Sequence, residues 1–202
     1  MQDRINLSAQ VFNACTLLKE KGAKVYLAGG AVRDYLMGTE MGKDLDFEVY
    51  GLQPNELESV LQQAGVVQAV GKSFGVYLLT GANAEFALPR KDNKQGRGHK
   101  GFIVEFDPTL STYEATLRRD FTMNSMLLDV EDGYITDHHG GLIDIQNKKL
   151  RATSDAFKED PLRVLRGMQF ISRFNLRASM VTSEYSKQML DEASTWSKQR
   201  LW

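Results

Sequence analysis

In residues 44–50, which read DLDFEVY, acidic and apolar residues alternate strictly as far as Val49. Because successive side chains of a β-strand point to opposite faces, the apolar residues share one face and Asp44, Asp46 and Glu48 share the other. This pattern predicts a half-buried strand whose acidic face is open. It also places Asp44 and Asp46 on the same face of a sheet, roughly 6.6 Å apart along the strand.

Two carboxylates held side by side are suited to binding divalent cations. Mg²⁺ prefers oxygen ligands, commonly one or two protein carboxylates together with substrate phosphates. We therefore predict that Asp44 and Asp46 are catalytic residues that bind two Mg²⁺ ions for phosphoryl or nucleotidyl transfer. Glu85, at the start of a later predicted strand, is a candidate third catalytic carboxylate, and Glu48 is a less favoured one. The structural alternative is a solvated strand face.

A glycine pair precedes this strand in the sequence GGAVRD. Gly29 and Gly30 let the backbone approach a ligand closely, with N–H groups at the start of a helix. Arg33 would add a charge-assisted contact to phosphate, so these residues and Asp34 are predicted to bind nucleotide. Ser73, between two later glycines, is a weaker candidate for a phosphate contact. The alternative for the glycine pair is a tight turn in which Arg33 pairs with Asp34.

A second polar cluster, RRDFTMN, covers residues 118–124. Two arginines beside an aspartate and an asparagine have the groups to bind a triphosphate and a ribose. We predict that Arg118, Arg119, Asp120 and Asn124 contact nucleotide. A basic helix end capped by Asp120 is the structural alternative.

A third polar cluster, EDPLRVLR, covers residues 159–166 and has the aspartate and proline typical of a helix start. On the predicted helix, two arginines share a face with a glycine and a phenylalanine, an arrangement that suits a flat ligand. The residues of this face are Arg163, Arg166, Gly167 and Phe170.

Asp160 and Arg163 carry groups that can read a base edge. Cytosine and adenine both present an amino donor beside a ring-nitrogen acceptor, and guanine and uracil present the opposite pattern. Asp160 would accept from the amino group while Arg163 donates to the ring nitrogen. The pair is predicted to select C and A over G and U, and a capped helix with ion pairs three residues apart is the alternative.

The rest of the chain predicts an early sheet and late helices. Helices are predicted over 8–21, 54–63, 122–128 and 183–193, and strands over 25–28, 66–70, 76–79 and 85–88. The polar residues 89–101 carry five lysines or arginines and predict a mobile loop. We predict an α+β head over residues 1–151 and a helical piece over 152–202.

Composition narrows the class of protein. Hydrophobic residues make up 42% and charged residues 25% of the 202 residues, typical of a soluble globular protein. The net charge of −1 gives no global bias toward nucleic acid, so an RNA contact would need a local basic patch. The single Cys15 favours a reducing compartment and, in its apolar helix, a buried thiol. Without a membrane span or signal-peptide pattern, we expect a cytoplasmic protein with no membrane partner.

In their order and spacing, the three clusters and the aspartate pair resemble the class II CCA-adding enzymes (tRNA nucleotidyltransferases), whose head is shared by bacterial poly(A) polymerases. The resemblance spans about residues 24–174. It implies a polymerase-β-like nucleotidyltransferase head, with a small mixed sheet flanked by helices, followed by a helical neck. It also implies magnesium-dependent transfer of CMP and AMP from CTP and ATP to the 3′ end of tRNA.

The resemblance also implies roles for individual residues. Asp44 and Asp46 match the metal-binding pair, Gly30 and Arg33 match phosphate contacts, either Arg118 or Arg119 matches a nucleotide contact, and Asp160, Arg163 and Arg166 match the protein template that reads the base. Residues 89–101 occupy the place of the family's flexible loop.

Three functional alternatives remain open at this point. Poly(A) synthesis is less favoured because residues 71–78 lack the histidine that the resemblance leads us to expect in poly(A) enzymes. A non-catalytic nucleotide- or RNA-binding module is the alternative of another class, and a transferase acting on small molecules is the third. Family members continue into helical body and tail domains, so we expect a truncated neck here and poor tRNA affinity of this chain alone.

Overall fold

The computed structural model of this chain describes residues 7–40, 42, 44–71, 75–94, 102–107 and 109–189. The helices are α1 (Ala9–Glu20), α2 (Gly30–Leu36), α3 (Pro54–Ala64), α4 (Thr112–Leu117), α5 (Gly141–Gln146), α6 (Leu162–Phe174) and α7 (Met180–Met189). Two 3₁₀ helices span Thr122–Asn124 and Asp155–Glu159. The strands are β1 (Lys24–Ala28), β2 (Leu45–Tyr50), β3 (Val67–Gly71), β4 (Val76–Leu79), β5 (Ala84–Ala87), β6 (Arg90–Lys94), β7 (Phe102–Phe106), β8 (Leu127–Asp129), β9 (Ile135–Thr136), β10 (Lys149–Leu150) and β11 (Arg177–Ala178).

Within the described residues, seven strands form one mixed sheet in the order β3-β4-β5-β2-β1-β8-β9. β2 and β5 run parallel, and the other neighbouring strands run antiparallel. The sheet packs on α1, α2 and α3, and its centre is marked by the stacked rings of Phe47 and Phe86 at 4.8 Å. This architecture confirms the predicted α+β class with a mixed sheet flanked by helices.

The acidic face predicted for residues 44–50 is open at only part of its length. The strand itself is confirmed and begins at Leu45, with Asp44 just before it. Asp46 is exposed, as predicted, whereas Glu48 is buried at 2% exposure. The prediction of a wholly open acidic face was therefore wrong, because arginines from a distant segment cover Glu48.

The loop predicted over residues 89–101 was wrong in its first half. β6 and β7 form an antiparallel hairpin in which Arg90 is opposite Phe106 and Lys94 is opposite Phe102. Residues 95–101 lie outside the described part of the chain. A polar segment gives little strand signal by itself, because backbone pairing with the following strand is what makes it a strand.

The helix predicted over 122–128 was also wrong beyond its first turn. The 3₁₀ helix ends at Asn124, and residues 127–129 form β8, which pairs with β1. The edge of β1 offers backbone partners to this apolar segment, and tertiary pairing outweighs its helical pattern. The last helix begins at Met180 rather than at residue 183 and is described as far as Met189, and residues 190–193 lie outside the described residues.

A second apolar cluster joins residues from before and after position 151. Its buried members are Phe121, Met123, Leu150, Ala152, Phe157, Val164, Leu176 and Met189. The backbone of residues 120–122 is bonded to that of residues 151–153 by Thr122 N–H to Arg151 O at 2.9 Å and Thr153 N–H to Asp120 O at 3.2 Å. The division into a head over 1–151 and a neck over 152–202 stays a prediction.

The face of α6 that was predicted to suit a flat ligand is partly filled by the protein itself. A Cβ on Gly167 would lie 3.1 Å from Cζ of Phe121, and the Phe170 ring packs edge-on against Phe121 with centroids 5.8 Å apart. Gly167 therefore permits helix packing, and the prediction that it helps form a ligand face was wrong. Among the described residues, no helix has the length and apolar composition needed to cross a membrane.

We predict that Gly141→Ala destabilises the fold. A Cβ at this first residue of α5 would lie 2.3 Å from the carbonyl oxygen of Thr122, so the helix and the 3₁₀ turn would have to separate. The free energy of unfolding should fall by about 2 kcal/mol or more. Gln146→Ala, at the exposed end of α5, is the control and should change it by less than about 0.5 kcal/mol. Equal denaturation midpoints for the two variants would contradict this packing.

We predict that Cys15 is unreactive in the folded chain. It is buried on α1, and burial raises the pKa of its thiol to about 12, with a small opposing effect of Lys19. Since the thiolate is the reacting species, a disulfide reagent at mildly alkaline pH should modify Cys15 slowly in buffer and rapidly in guanidinium chloride. Equal rates in the two conditions would show that the thiol is accessible in the folded chain.

Candidate active site

A pocket of about 430 Å³ brings the three polar clusters together. It opens between the turn before α2, strand β2, residues 118–124 and the start of α6. It is lined by Gly29, Gly30, Arg33, Asp46, Arg118, Arg119, Asp120, Asn124, Asp160, Arg163 and Arg166. All of these residues belong to the predicted site. The first of them in the sequence, Gly29, and the last, Arg166, are 137 positions apart.

Gly29 is required where the pocket meets the sheet. Its backbone has φ +68°, which an L side chain rarely adopts. A Cβ at this position would lie 3.2 Å from Nη1 of Arg119 and 3.5 Å from Oδ2 of Asp46. The glycine thus lets a cation and a carboxylate meet at the pocket wall.

Three carboxylates lie near the start of β2, on the side of the pocket. Asp46 lines the pocket, Asp44 lies exposed just before β2, and Glu85 is the direct partner of Asp46 on the parallel strand β5. Asp46 is exposed as a whole residue, but desolvation of its carboxyl group by the surrounding protein raises its pKa. The charge of Arg119 opposes this rise, and the charges of Asp44 and Glu48 add to it. Burial also raises the pKa of Glu85, and the charges of Asp46 and Asp44 raise it further.

This donor set fits a hard divalent cation bound together with substrate. The mutual repulsion of Asp44, Asp46 and Glu85 is the kind that a cation relieves, and carboxylate oxygens are the ligands that Mg²⁺ prefers. Among the described residues, no three His, Cys, Asp or Glu side chains are gathered closely enough to hold a metal by themselves. Two protein carboxylates would therefore need oxygens from a bound ligand to complete the coordination.

Arg119 is held deep in the pocket wall. Its Nη2 pairs with Oε1 of Glu48, and its Nη1 donates to the carbonyl of Asn124 at 3.3 Å. Arg118 reaches the same Glu48 oxygen from 3.6 Å. Burial alone raises the pKa of Glu48, but Arg119 and Arg118 more than reverse this effect and lower the pKa to about 2. Glu48 is therefore an anion that neutralises these two arginines.

Arg33 is fixed between two parts of the chain. Its guanidinium donates to Asp34 at 2.8 Å and to Oδ1 of Asn124 at 2.9 Å. The same group lies 5.0 Å from the ring centroid of Phe170 and 4.8 Å from that of Phe174. The predicted pairing of Arg33 with Asp34 is thus present, yet Arg33 still lines the pocket. Asp34 is buried beneath it and does not line the pocket, so its side chain serves the site through Arg33.

The remaining polar residues tie residues 118–124 to α6. Oδ1 of Asp120 accepts from Nδ2 of Asn124 at 3.0 Å, and Oδ2 lies 3.0 Å from Nη2 of Arg166. Arg166 is more than half exposed, at 57%. Asp120 is therefore buried within the wall, and Arg166 is the cation with most access to solvent at this side of the pocket.

Asp160 and Arg163 both reach the pocket while also bonding to the backbone. Oδ1 of Asp160 accepts from the N–H of Leu162 at 3.0 Å, which confirms its predicted place at the start of the helix. Arg163 donates to the carbonyl of Ala156 at 2.7 Å and to that of Arg118 at 2.6 Å. These bonds orient the pair at the pocket rim, and their reading of a base edge stays a prediction.

Sequence reasoning missed Glu48, Phe170 and Phe174 as partners of the pocket arginines. It also missed Tyr50, whose hydroxyl donates to Glu48 at 2.8 Å. The signal for Glu48 was present, since a carboxylate on a largely buried strand needs a cation. Nothing local to Glu48 indicates that this cation is Arg119, which lies 71 positions away. Ser73, the weakest predicted phosphate contact, lies outside the described residues.

Comparison with known proteins identifies the family. Residues 25–151 match the family described as the poly(A) polymerase head domain. A relative named "Multifunctional CCA protein" from Pasteurella multocida is 41% identical over 184 residues, which are 89% of this chain and 42% of that protein. A protein of the same name from Stenotrophomonas maltophilia strain K279a is 44% identical over 151 residues, 75% of this chain and 36% of that protein.

Solved structures agree with this assignment. The CCA-adding enzyme of Bacillus stearothermophilus in complex with CTP has a TM-score of 0.79 and 27% identity, covering 96% of this chain and 47% of that one. A tRNA nucleotidyltransferase complexed with a primer tRNA and an incoming ATP analogue has a TM-score of 0.73 and 31% identity, covering 93% of this chain and 53% of that one. The predicted polymerase-β-like nucleotidyltransferase fold is thereby confirmed.

This chain spans less than half the length of the two relatives named above. The matched region includes the glycine pair, the aspartate pair and residues 118–124, and each of these three segments contributes residues to the pocket. The chain therefore belongs to the poly(A) polymerase head-domain family, with the head region of the class II CCA-adding enzymes.

Proposed function

We propose that this chain is the nucleotidyltransferase part of an enzyme that adds CMP and AMP, from CTP and ATP, to the 3′ end of tRNA. The observation that carries the proposal is the composition of the pocket, where the exposed carboxylate of Asp46 and the carboxylates of Asp120 and Asp160 share one cavity with five arginines from three clusters. The arginine cations would bind the negative oxygens of a triphosphate, and a carboxylate beside them would bind the metal ion that such a transfer reaction needs.

Residues at different positions in the site would bind the metal ions and the phosphates. Asp44 and Asp46 would hold Mg²⁺ together with triphosphate oxygens, with Glu85 beside them on β5. The chemistry supplied by two bound Mg²⁺ ions is activation of the attacking 3′ hydroxyl and neutralisation of the leaving pyrophosphate. Arg33 and Arg119, whose guanidinium groups are already fixed by protein partners, would bind phosphate with little loss of side-chain freedom.

Selection of C and A over G and U is assigned to the rim of the pocket. Asp160 would accept from the amino group of the base, and Arg163 would donate to its ring nitrogen. The bonds of Arg163 to two backbone carbonyls support this role, because they limit the positions that its guanidinium can take. Arg166, at the open side, is placed to contact the same nucleotide.

The reaction separates the proposal from its alternatives. Labelled CTP and ATP, supplied separately and together with tRNA lacking its 3′ end, should give incorporation of C and then of A, ending after a short addition. Long A tails from ATP alone would instead indicate poly(A) synthesis. The tRNA concentration is raised until incorporation no longer increases, because we expect poor tRNA affinity of this chain alone. Nucleotide binding without any incorporation under those conditions, in the presence of Mg²⁺, would indicate a non-catalytic binding module.

Asp46→Asn should abolish metal-dependent incorporation. The substitution keeps the shape of the side chain but removes the charge that a divalent ion requires, and a loss of at least ~100-fold in rate is expected from the several kcal/mol that such ions supply. Asp44→Asn should act in the same direction. Glu20→Gln, at the exposed end of α1, removes one carboxylate elsewhere and should leave the rate unchanged. Incorporation by Asp46→Asn at the rate of the unsubstituted chain would contradict the assigned role.

Asp160→Asn should weaken base discrimination. The amide can donate as well as accept, so the ratio of UTP and GTP incorporation to CTP and ATP incorporation should rise about tenfold, equivalent to roughly 1–2 kcal/mol of discrimination. Met168→Ala, exposed on the same helix, is the control. An unchanged ratio at an unchanged total rate would remove Asp160 from the reading of the base.

A further inference from the structure

Glu48 has features that its role as a sheet residue does not require. It is 2% exposed, it is paired with Arg119, and it accepts from Oη of Tyr50 at 2.8 Å. Burying charges is expensive, and a buried ion pair commonly stabilises a fold no better than apolar residues of the same volume. An apolar residue at position 48 would stabilise the sheet as well. The presence of a carboxylate there is therefore explained by what it does to the residues that it contacts.

The contacts of Arg119 show what Glu48 achieves. One terminal nitrogen, Nη2, is bound by Glu48, and the other, Nη1, donates to the carbonyl of Asn124. Nη1 lies 3.2 Å from the position that a Cβ atom on Gly29 would occupy. With both ends of the guanidinium held, its orientation at the pocket wall is set before any ligand arrives.

Charge balance gives the second consequence. Asp46 and Glu48 project from the same face of β2, and both interact electrostatically with Arg119. Only Glu48 forms an ion pair with Arg119 in the described part of the chain. Because Glu48 neutralises and holds the guanidinium, Asp46 keeps its carboxylate oxygens directed to the pocket instead of pairing with Arg119.

We propose that Glu48, supported by Tyr50, is a positioning residue that holds Arg119 as a fixed phosphate-binding cation and keeps it off Asp46. The substrate class is a nucleoside triphosphate, so this inference rests on the proposed function. Glu48 itself touches neither substrate nor metal in this scheme. Its effect on nucleotide binding runs through Arg119.

The test compares two variants at the site with two matched controls. Glu48→Gln removes the charge, and Tyr50→Phe removes one supporting hydroxyl. Asp144→Asn removes another buried carboxylate, which pairs with Arg151 at 2.7 Å. Asp144 and its hydrogen-bond donor Thr122 do not line the pocket, and the amide oxygen of asparagine can still accept the bond from Thr122. Tyr77→Phe removes another buried hydroxyl, which donates to Pro54 O at 3.1 Å. Dissociation constants for CTP and for ATP are measured at equilibrium, and thermal unfolding of each variant is followed in parallel.

Glu48→Gln should weaken the binding of both nucleotides by about 10- to 100-fold, the range seen when a partner that orients a binding group is removed. Tyr50→Phe should weaken it less, by a few-fold. Both controls should bind CTP and ATP as the unsubstituted chain does, even where their unfolding temperatures fall. In a double-mutant cycle, Glu48→Gln should have little further effect once Arg119→Gln is present, because the ion pair between these two residues is then already lost.

Each outcome decides one question. If the unsubstituted chain binds neither CTP nor ATP, the proposed function itself fails. If it binds them and folded Glu48→Gln binds equally well, the inference about Glu48 is overturned while the proposed function stands. Additive effects in the double-mutant cycle overturn it too, since they would show that Glu48 acts independently of Arg119. If Glu48→Gln does not fold, the nucleotide affinities of Tyr50→Phe and Tyr77→Phe are compared instead. Equal affinities in these two variants would overturn the inference.

Discussion

The candidate site depends on the polar and charged side chains of residues 118–124, which pair with each of the other elements around the pocket. The pairs are Arg119 with Glu48 on β2, Asn124 with Arg33 on α2, and Asp120 with Arg166 on α6. Each pair joins segments that are distant in the chain, so the pocket forms only when residues 118–124 are packed against β2, α2 and α6. The segment in turn is held by backbone bonds to residues 151–153 and by the second apolar cluster.

Pairing of buried charges also determines what the pocket offers to a ligand. A buried charge without a partner is too costly to keep, so Arg33 and Arg119 each have partners within the protein. Those partners restrict both guanidinium groups while leaving part of each at the pocket surface. A triphosphate would then meet cations that are already oriented, and Asp46 would remain open beside them.

Local patterns in the sequence were sufficient to predict most strands of the sheet and to name the residues that line the pocket. The alternation around Asp46 predicted β2, and helix-start residues Asp160 and Pro161 predicted the start of α6. Patterns were insufficient where partners came from elsewhere. Residues 90–94 became a strand by pairing with β7, and residues 127–129 did so by pairing with β1. Gly167 was interpreted as part of a ligand face because the Phe121 ring that fills it comes from another segment.

The sequence by itself determined the chemistry present: a pair of aspartates on a strand, a glycine turn before a helix, and two arginine-rich clusters in a recognisable order. Only the tertiary structure decided which charged groups face the pocket and which neutralise their neighbours. Asp46 and Glu48 are two positions apart on one strand face, yet one is open and the other is buried against Arg119. The physical reason is that burial of a charge depends on a partner, and the partner of Glu48 lies 71 positions further along the chain.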